Sequence, residues 1–164
     1  MWPFRKAACA RRQARRHCWK KALKLGVETI GGLDPAAFDS DVEGQLDLVF
    51  DLAVRYRAGI DIHLHDGGEL GIFELGKIAE RYRAHGLAEQ VAVSHAYALG
   101  MVAESDAAAM AYQLARAGVA IMTSASSFGA MPPVKLLLDC GVVVLAGSDN
   151  IRNALSPFGN GDML

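Results

Sequence analysis

The chain has 164 residues, enough for one domain with a substantial core, and its 52% hydrophobic content is typical of a globular protein. No apolar run reaches the roughly eighteen residues of a membrane span. Three scattered cysteines exclude a disulfide framework and favour a reducing cytoplasm as the location. The net charge of −1 hides an asymmetry, because the first 25 residues hold nine of the seventeen Lys and Arg and no acid.

Residues 1–18 form a basic, alanine-rich leader without acidic residues. This composition suits a nucleic-acid arm, an organelle-targeting peptide or a membrane-surface helix, and it lacks the apolar core of a secretory signal. The abrupt change to an acidic remainder favours a leader that is disordered or non-native. We therefore predict a boundary between this leader and a folded domain over residues 19–164, and we assign no chemistry and no nucleic-acid partner to the leader.

From residue 19 the pattern alternates between helices and strands. The predicted strands are Val27–Ile30, Ile60–His65, Val91–His95, Val119–Thr123 and Val142–Ala146. The predicted helices are the tail Lys20–Leu25, one capped by Asp39, Ser40 or Asp41, Ile72–His85, one from Ser105 or Asp106 to Ala117, and Val134–Asp139. In the third helix we expect Phe73, Ile78 and Tyr82 to face inward.

The later strands are apolar on both faces, which is typical of buried parallel strands. Repeated strand–helix units of about thirty residues or fewer predict an α/β protein. Two architectures remain open at this point: a doubly wound sheet and part of a (β/α)8 barrel.

Polar side chains follow the strand ends, where both architectures collect functional groups. They are Asp34, His63, His65, Asp66, His95, Thr123, Ser124, Ser126, Asp149 and Asn150. The other two histidines differ, since His17 lies in the leader and His85 ends a helix. This distribution predicts a metal-dependent or acid–base site.

The residue types suit hydrolysis with a bound metal. Alternate residues of a strand share a face, so His63 and His65 should point the same way. A divalent ion held by imidazole and carboxylate lowers the pKa of bound water to near 7. Simpler interpretations stay open: His95 as a core histidine, Asp149 as a turn or cap residue, and Asp34 as a turn residue, which we prefer for Asp34.

Several other chemistries lack their motifs here. Neither the common phosphate-binding loop nor the dinucleotide fingerprint is present, and G-x-S-x-G is absent. The small zinc nucleobase deaminases use H-x-E with P-C-x-x-C, and the sequence has neither.

A family resemblance rests on motifs in a fixed order. They are G-G-L-D-P at 31–35, D-I-H-L-H-D-G-G-E-L-G at 61–71, V-S-H-A at 93–96, L-A-G-S-D-N at 145–150 and P-F-G-N-G-D-M-L at 157–164. Together they resemble the metal-dependent amidohydrolase superfamily, in its branch of cytosine deaminase and aminotriazine hydrolases. The resemblance implies the second half, strands 4–8, of a TIM-type (β/α)8 barrel with one divalent ion, zinc or iron.

The resemblance also implies residue roles. His63 is the metal ligand of barrel strand five, and Asp149 is the strand-eight ligand and proton acceptor. His95 orients the hydroxide or the substrate, and Asp66 shuttles protons to the ring and the leaving group. His65 becomes the ligand instead if the strand register differs by two residues.

Two departures from the family pattern shape the expected function. Asp66 stands where the familiar deaminase has glutamate, which leaves the ring substrate open between an amino-substituted pyrimidine and a triazine. The family's first strand carries an H-x-H metal pair, and no such pair precedes His63. We therefore expect a truncated enzyme that binds its metal weakly and hydrolyses C–N bonds poorly alone. The alternative is an inactive fragment that associates, as a homo-oligomer, through its open barrel edges.

Overall fold

The computed structural model describes residues 14–86, 91–124, 130–147 and 149. Its strands are β1 (Thr29–Leu33), β2 (Gly59–Leu64), β3 (Val91–His95), β4 (Ala120–Thr123) and β5 (Val144–Ala146). Its helices are α1, described over 14–24, α2 (Val42–Tyr56), α3 (Gly68–His85), α4 (Glu104–Ala117) and α5 (Val134–Asp139), with a 3-10 turn at Tyr97–Gly100.

The five strands form one parallel sheet in chain order, β1 to β5. Each neighbouring pair is joined by a crossover that contains a helix, from α2 between β1 and β2 to α5 between β4 and β5. A doubly wound sheet reverses its strand order at a switch point, whereas a barrel adds each strand beside the last. The unbroken order therefore confirms the (β/α) units and favours the barrel.

Hydrophobic packing lies between the sheet and its helices. Alternate residues of the strands point toward the helices, and the β2 residues Ile60, Ile62 and Leu64 are fully or almost fully buried. The core is completed by Leu46, Phe50, Leu75, Ile78, Leu114 and Ile121. One side of the sheet is thus sealed by its helices.

The other side of the sheet is the barrel-interior face. Strand register aligns one row across it: Leu33, His63, Ser94, Met122 and Leu145. Ser94 in the centre is buried, but Leu33 and Leu145 at the two edges are 37% and 45% exposed. The site residues therefore sit on the open face.

Local rules explain three of the helix ends. Among the three predicted caps for α2, Asp41 is the N-cap, and its Oδ1 accepts a hydrogen bond from the Gly44 N–H at 2.9 Å. Gly86 and Gly118 end α3 and α4 in the left-handed conformation, which glycine adopts without steric cost.

Several local expectations were wrong. Helix α3 begins at Gly68 and not at Ile72. Strand β1 was predicted to end at Ile30, but pairing with β2 extends it through two glycines to Leu33. Phe73 was predicted to face inward and is 50% exposed, whereas the buried position beside it is Glu74. Ile78 is buried and Tyr82 is partly buried, as predicted.

Helix α1 runs across the predicted boundary at residue 18. The two terminal guanidinium nitrogens of Arg15, Nη1 and Nη2, donate to the Asp39 carboxylate, and Nη2 lies 2.6 Å from Oδ1. Trp19 packs against the core. Residues 1–13 lie outside the described part, so the leader stays a prediction. Within the described residues, no helix is both long enough and apolar enough to cross a bilayer.

Candidate active site at the strand ends

His63 and His65 come from the end of β2 and share the barrel-interior face. His63 occupies the penultimate strand position and His65 follows the last one, so one residue, Leu64, separates them and their side chains point the same way. Their ring centroids lie 6.3 Å apart. This geometry confirms the shared face expected from the sequence.

His95 reaches the same site by a different route. Register pairs Ser94 with His63 and pairs His95 with the outward-facing Leu64, so regular alternation would direct His95 toward the helices. Backbone φ angles of +74° at His95 and +48° at Ala96 end the strand in a sharp turn instead. This conformation costs about 1–3 kcal/mol per residue and is concentrated at functional sites.

The three imidazoles form a compact cluster. The rings of His65 and His95 stack with centroids 4.4 Å apart, and His95 Nε2 lies 3.3 Å from His63 Nδ1. One ring nitrogen from each of the three histidines lies within 4.8 Å of the others. Two zinc ligands in a tetrahedron at about 2.05 Å from the ion are about 3.3 Å apart. The donor set therefore fits one divalent ion.

Asp149 joins the cluster from the loop after β5. Its Oδ2 lies 3.9 Å from His95 Nε2, and its own φ is +60°. His95 is almost fully buried, and burial, reinforced by the neighbouring His65, lowers the pKa of its imidazole. Burial and the Asp149 charge raise the pKa of the Tyr97 hydroxyl, which lies 3.4 Å from His95 Nδ1. At neutral pH this phenol therefore keeps its proton and is able to donate a hydrogen bond.

Asp34 fixes the orientation of His65. Its Oδ1 accepts from the His65 backbone N–H at 2.5 Å, and its Oδ2 lies 3.0 Å from His65 Nδ1. The carboxylate holds the proton on Nδ1 and leaves the Nε2 lone pair available to a metal. Asp34 had been interpreted as a turn residue, because the sequence does not show which strand end lies beside which.

Asp61 was missed by sequence reasoning. Its Oδ1 accepts a hydrogen bond from Ser94 Oγ at 2.8 Å, and its Oδ2 lies 3.5 Å from His63 Nε2. It precedes His63 by two residues on the same strand, so strand alternation was a signal that could have found it.

Asp66 follows His65 directly in the chain, but its carboxylate bonds to another loop. Its Oδ2 accepts from the Ala37 N–H at 3.2 Å, in the loop after β1. Glu74, a second residue that the sequence analysis missed, is completely buried nearby and accepts from the Ala36 N–H at 2.9 Å. Within the described residues, no hydrogen bond joins Asp66 to the three histidines.

The remaining predicted site residues follow β4 and β5. Thr123 is buried at the end of β4, and its carbonyl accepts from the Gly147 N–H at 3.1 Å. Ser126, Asn150 and the motif at 157–164 lie outside the described residues.

A cavity of about 450 Å³ adjoins His63. Its lining includes Leu33 and Asp61 from the barrel-interior face, and Arg15 and Trp19 from α1. This volume falls within the range of small-molecule sites.

Parallel strands in chain order, with imidazoles and carboxylates gathered at their carboxyl ends, are typical of one half of a (β/α) barrel with a site at its carboxyl face. Comparison with known families gives the same class, because the profile of the amidohydrolase family matches residues 5–164. The chain belongs to the amidohydrolase family. The resemblance inferred from the motifs is thereby confirmed.

Individual relatives indicate which branch of the family the chain is similar to. N-isopropylammelide isopropyl amidohydrolase of Pseudomonas sp. (strain ADP) is 37% identical over 147 residues, which are 88% of this chain and 36% of that protein. The crystal structure of N-isopropylammelide isopropylaminohydrolase from Burkholderia multivorans matches with a TM-score of 0.86 and 36% identity, covering 90% of this chain and 38% of the other.

A third match supports the fold alone. The structure of 5-methylcytosine deaminase from Klebsiella pneumoniae matches with a TM-score of 0.77 at 23% identity, covering 90% of this chain and 39% of that one. The chain therefore spans little more than a third of the relatives it matches, in agreement with the partial barrel expected from the sequence.

Proposed function

We propose that the chain carries one half of the active site of a metal-dependent hydrolase that cleaves C–N bonds on an amino-substituted triazine or pyrimidine ring. The observation that carries this proposal is the meeting of three histidines and Asp149 from three separate strand ends. Strand pairing alone brings the ends of β2 and β3 side by side, but it does not explain the turn at His95 or the 3.9 Å between Asp149 Oδ2 and His95 Nε2.

The metal ligands in this proposal are His63 and Asp149, with zinc or iron as the ion. His65 is the alternative ligand, and the tautomer that Asp34 imposes on it supports that role. The ion, when bound, lowers the pKa of a water ligand so that hydroxide is available at neutral pH.

The protein's own groups handle the protons. The lowered pKa of His95 keeps its imidazole neutral near pH 7. If Tyr97 donates to Nδ1, His95 carries its proton on Nε2, so that it does not ligate the ion and its Nε2–H can orient the nucleophile. Asp149 accepts the proton of the nucleophile, and Asp66 carries a proton to the ring and then to the leaving nitrogen.

The triazine is the better-supported ring. The relative at 37% identity is named for N-isopropylammelide, whereas the deaminase match at 23% supports the fold only. The aspartate at position 66, in place of the glutamate of the familiar cytosine deaminase, also argues against cytosine.

We expect the chain alone to bind metal weakly, because the sequence offers no H-x-H pair before His63. The test is release of amine or ammonia from N-isopropylammelide and cytosine, with excess Zn²⁺ or Fe²⁺. Asp66→Asn should lower turnover at least about 100-fold, the usual contribution of a general acid–base group. Asp51→Asn, at an exposed position on α2, is the matched control. Equal turnover in both variants would contradict the assignment of Asp66.

The alternative is a non-catalytic chain that pairs with a second copy through its open barrel edges, in a reducing compartment such as the cytoplasm. Exposed Leu33, Val143 and Leu145 at the edges of the interior face favour it. In that case light scattering should give twice the 17.5 kDa mass. Leu145→Asp should restore the monomer, and Leu138→Asp, at an exposed position on α5, should not. A monomer at all concentrations would exclude this alternative.

A further inference from the structure

Glu74 occupies an unusual position for a carboxyl group. It lies on α3, on the face that packs inward, and no part of it is exposed. One oxygen, Oε1, accepts a hydrogen bond from the Ala36 N–H at 2.9 Å. The other oxygen, Oε2, is buried and has no hydrogen-bond partner among the described residues. A buried oxygen in that state costs free energy unless the group changes its protonation.

The loop after β1 brings a second acid to Glu74. The adjacent N–H groups of Ala36 and Ala37 bind different carboxyls, Ala36 that of Glu74 and Ala37 that of Asp66. Asp34, which holds His65, begins the same loop. Three acidic side chains therefore converge on one short turn beside the histidine cluster.

Two carboxyls can share a hydrogen bond only if one of them carries a proton. Burial raises the pKa of Glu74 from 4.5 to about 7. The hydrogen bond from Ala36 lowers this pKa, whereas the charges of Asp66 and Asp34 raise it further. In the neutral form of Glu74, Oε2 carries a proton and can donate a hydrogen bond. The nearby acceptor is the Asp66 carboxylate.

We propose that Glu74 is a positioning residue, which donates a hydrogen bond from its neutral carboxyl to Asp66 while its carbonyl oxygen anchors the Ala36 N–H. One carboxylate oxygen of Asp66 is then held by Ala37 and the carboxyl group is also held by Glu74, so its direction is fixed. The catalytic meaning of this contact rests on the proposed role of Asp66 as proton carrier, but the contact itself does not.

The test is carbon-13 NMR of the full chain with labelled glutamate and aspartate carboxyls, and it needs neither metal nor substrate. One glutamate resonance should titrate with a midpoint near 7, and Glu74→Gln should remove that resonance. Asp66→Asn should move the midpoint down, because it removes one charge that raises it. A Glu74 midpoint near 4.5, or a midpoint unchanged in Asp66→Asn, would overturn the proposal.

Amide shifts test the hydrogen bonds separately. Glutamine has the same shape as neutral glutamic acid and can still donate to Asp66 and accept from Ala36, so Glu74→Gln should leave the Ala36 and Ala37 N–H shifts nearly unchanged. Glu74→Leu should move both. Movement of Ala36 alone would mean that Glu74 only anchors the loop and would overturn the contact with Asp66. If Glu74→Leu does not fold, the wild-type and Asp66→Asn titrations still decide.

The outcome is separable from that of the proposed function. A Glu74–Asp66 coupling without any hydrolysis would contradict the enzymatic assignment and leave the positioning contact in place. Hydrolysis that depends on Asp66, with a Glu74 that titrates normally, would support the enzymatic assignment and contradict the positioning contact.

Discussion

The pH dependence of stability is set in part by Glu74, and Glu74→Gln should remove that part. A carboxyl whose pKa is raised in the folded state contributes its full stability below its ordinary pKa of 4.5 and loses it as the pH rises through about 7. Each pKa unit is worth 1.36 kcal/mol, so the loss between pH 4 and pH 8 is about 3 kcal/mol. Glutamine cannot ionise, so the variant should not show this loss.

The assay is urea unfolding of wild type and variant from pH 4 to pH 8, with the difference in unfolding free energy as the readout. His95, whose pKa is lowered, gives a dependence of opposite sign in both proteins, and it cancels in the difference. A difference for Glu74→Gln that stays constant between pH 4 and pH 8 would refute the reasoning.

Three further substitutions test the site and its scaffold. Asp34→Ala should release the Nδ1 proton of His65 to either ring nitrogen, visible as mixed tautomers in nitrogen-15 NMR, and a single unchanged tautomer would contradict the assigned bond. Gly31→Ala would place its Cβ 1.6 Å from a backbone oxygen of β2, so thermal unfolding should show a loss of stability of more than about 3 kcal/mol. Gly76→Ala is the control and should be tolerated, because the nearest atom to its Cβ is 3.7 Å away. Asp41→Ala removes the α2 cap and should cost about 1 kcal/mol in the same assay, and no loss would argue against that cap.

The order of elements could be predicted because it depends on local pattern. Apolar strands, helical stripes and glycine stops recur through the chain, and each is visible within a dozen residues. Strand pairing then determined which boundaries shifted. Backbone hydrogen bonds to β2 extend β1 through Gly31 and Gly32, whereas local propensity predicts a turn there.

The site was predictable to the extent that it follows strand ends. His63, His95 and Asp149 were predicted as site residues because they lie at the ends of apolar runs, and in the structure their side chains lie close together. The bond from Asp34 to His65 and the buried position of Glu74 depend on contacts between residues about thirty or more apart. The turn at His95 also could not be read from the sequence, since a strand of that length would otherwise direct the side chain outward.

A cobalt titration tests most directly whether separate strand ends build one cation site. Co²⁺ added to the purified chain should give the visible absorption of a low-symmetry nitrogen and oxygen site at one ion per chain. His63→Gln should weaken binding at least about tenfold. His85→Gln should not, because His85 lies at the C-terminal end of α3 and stacks on Phe50 instead of joining the histidine cluster. Binding that is equally tight in both variants, or absent at every cobalt concentration, would contradict the account.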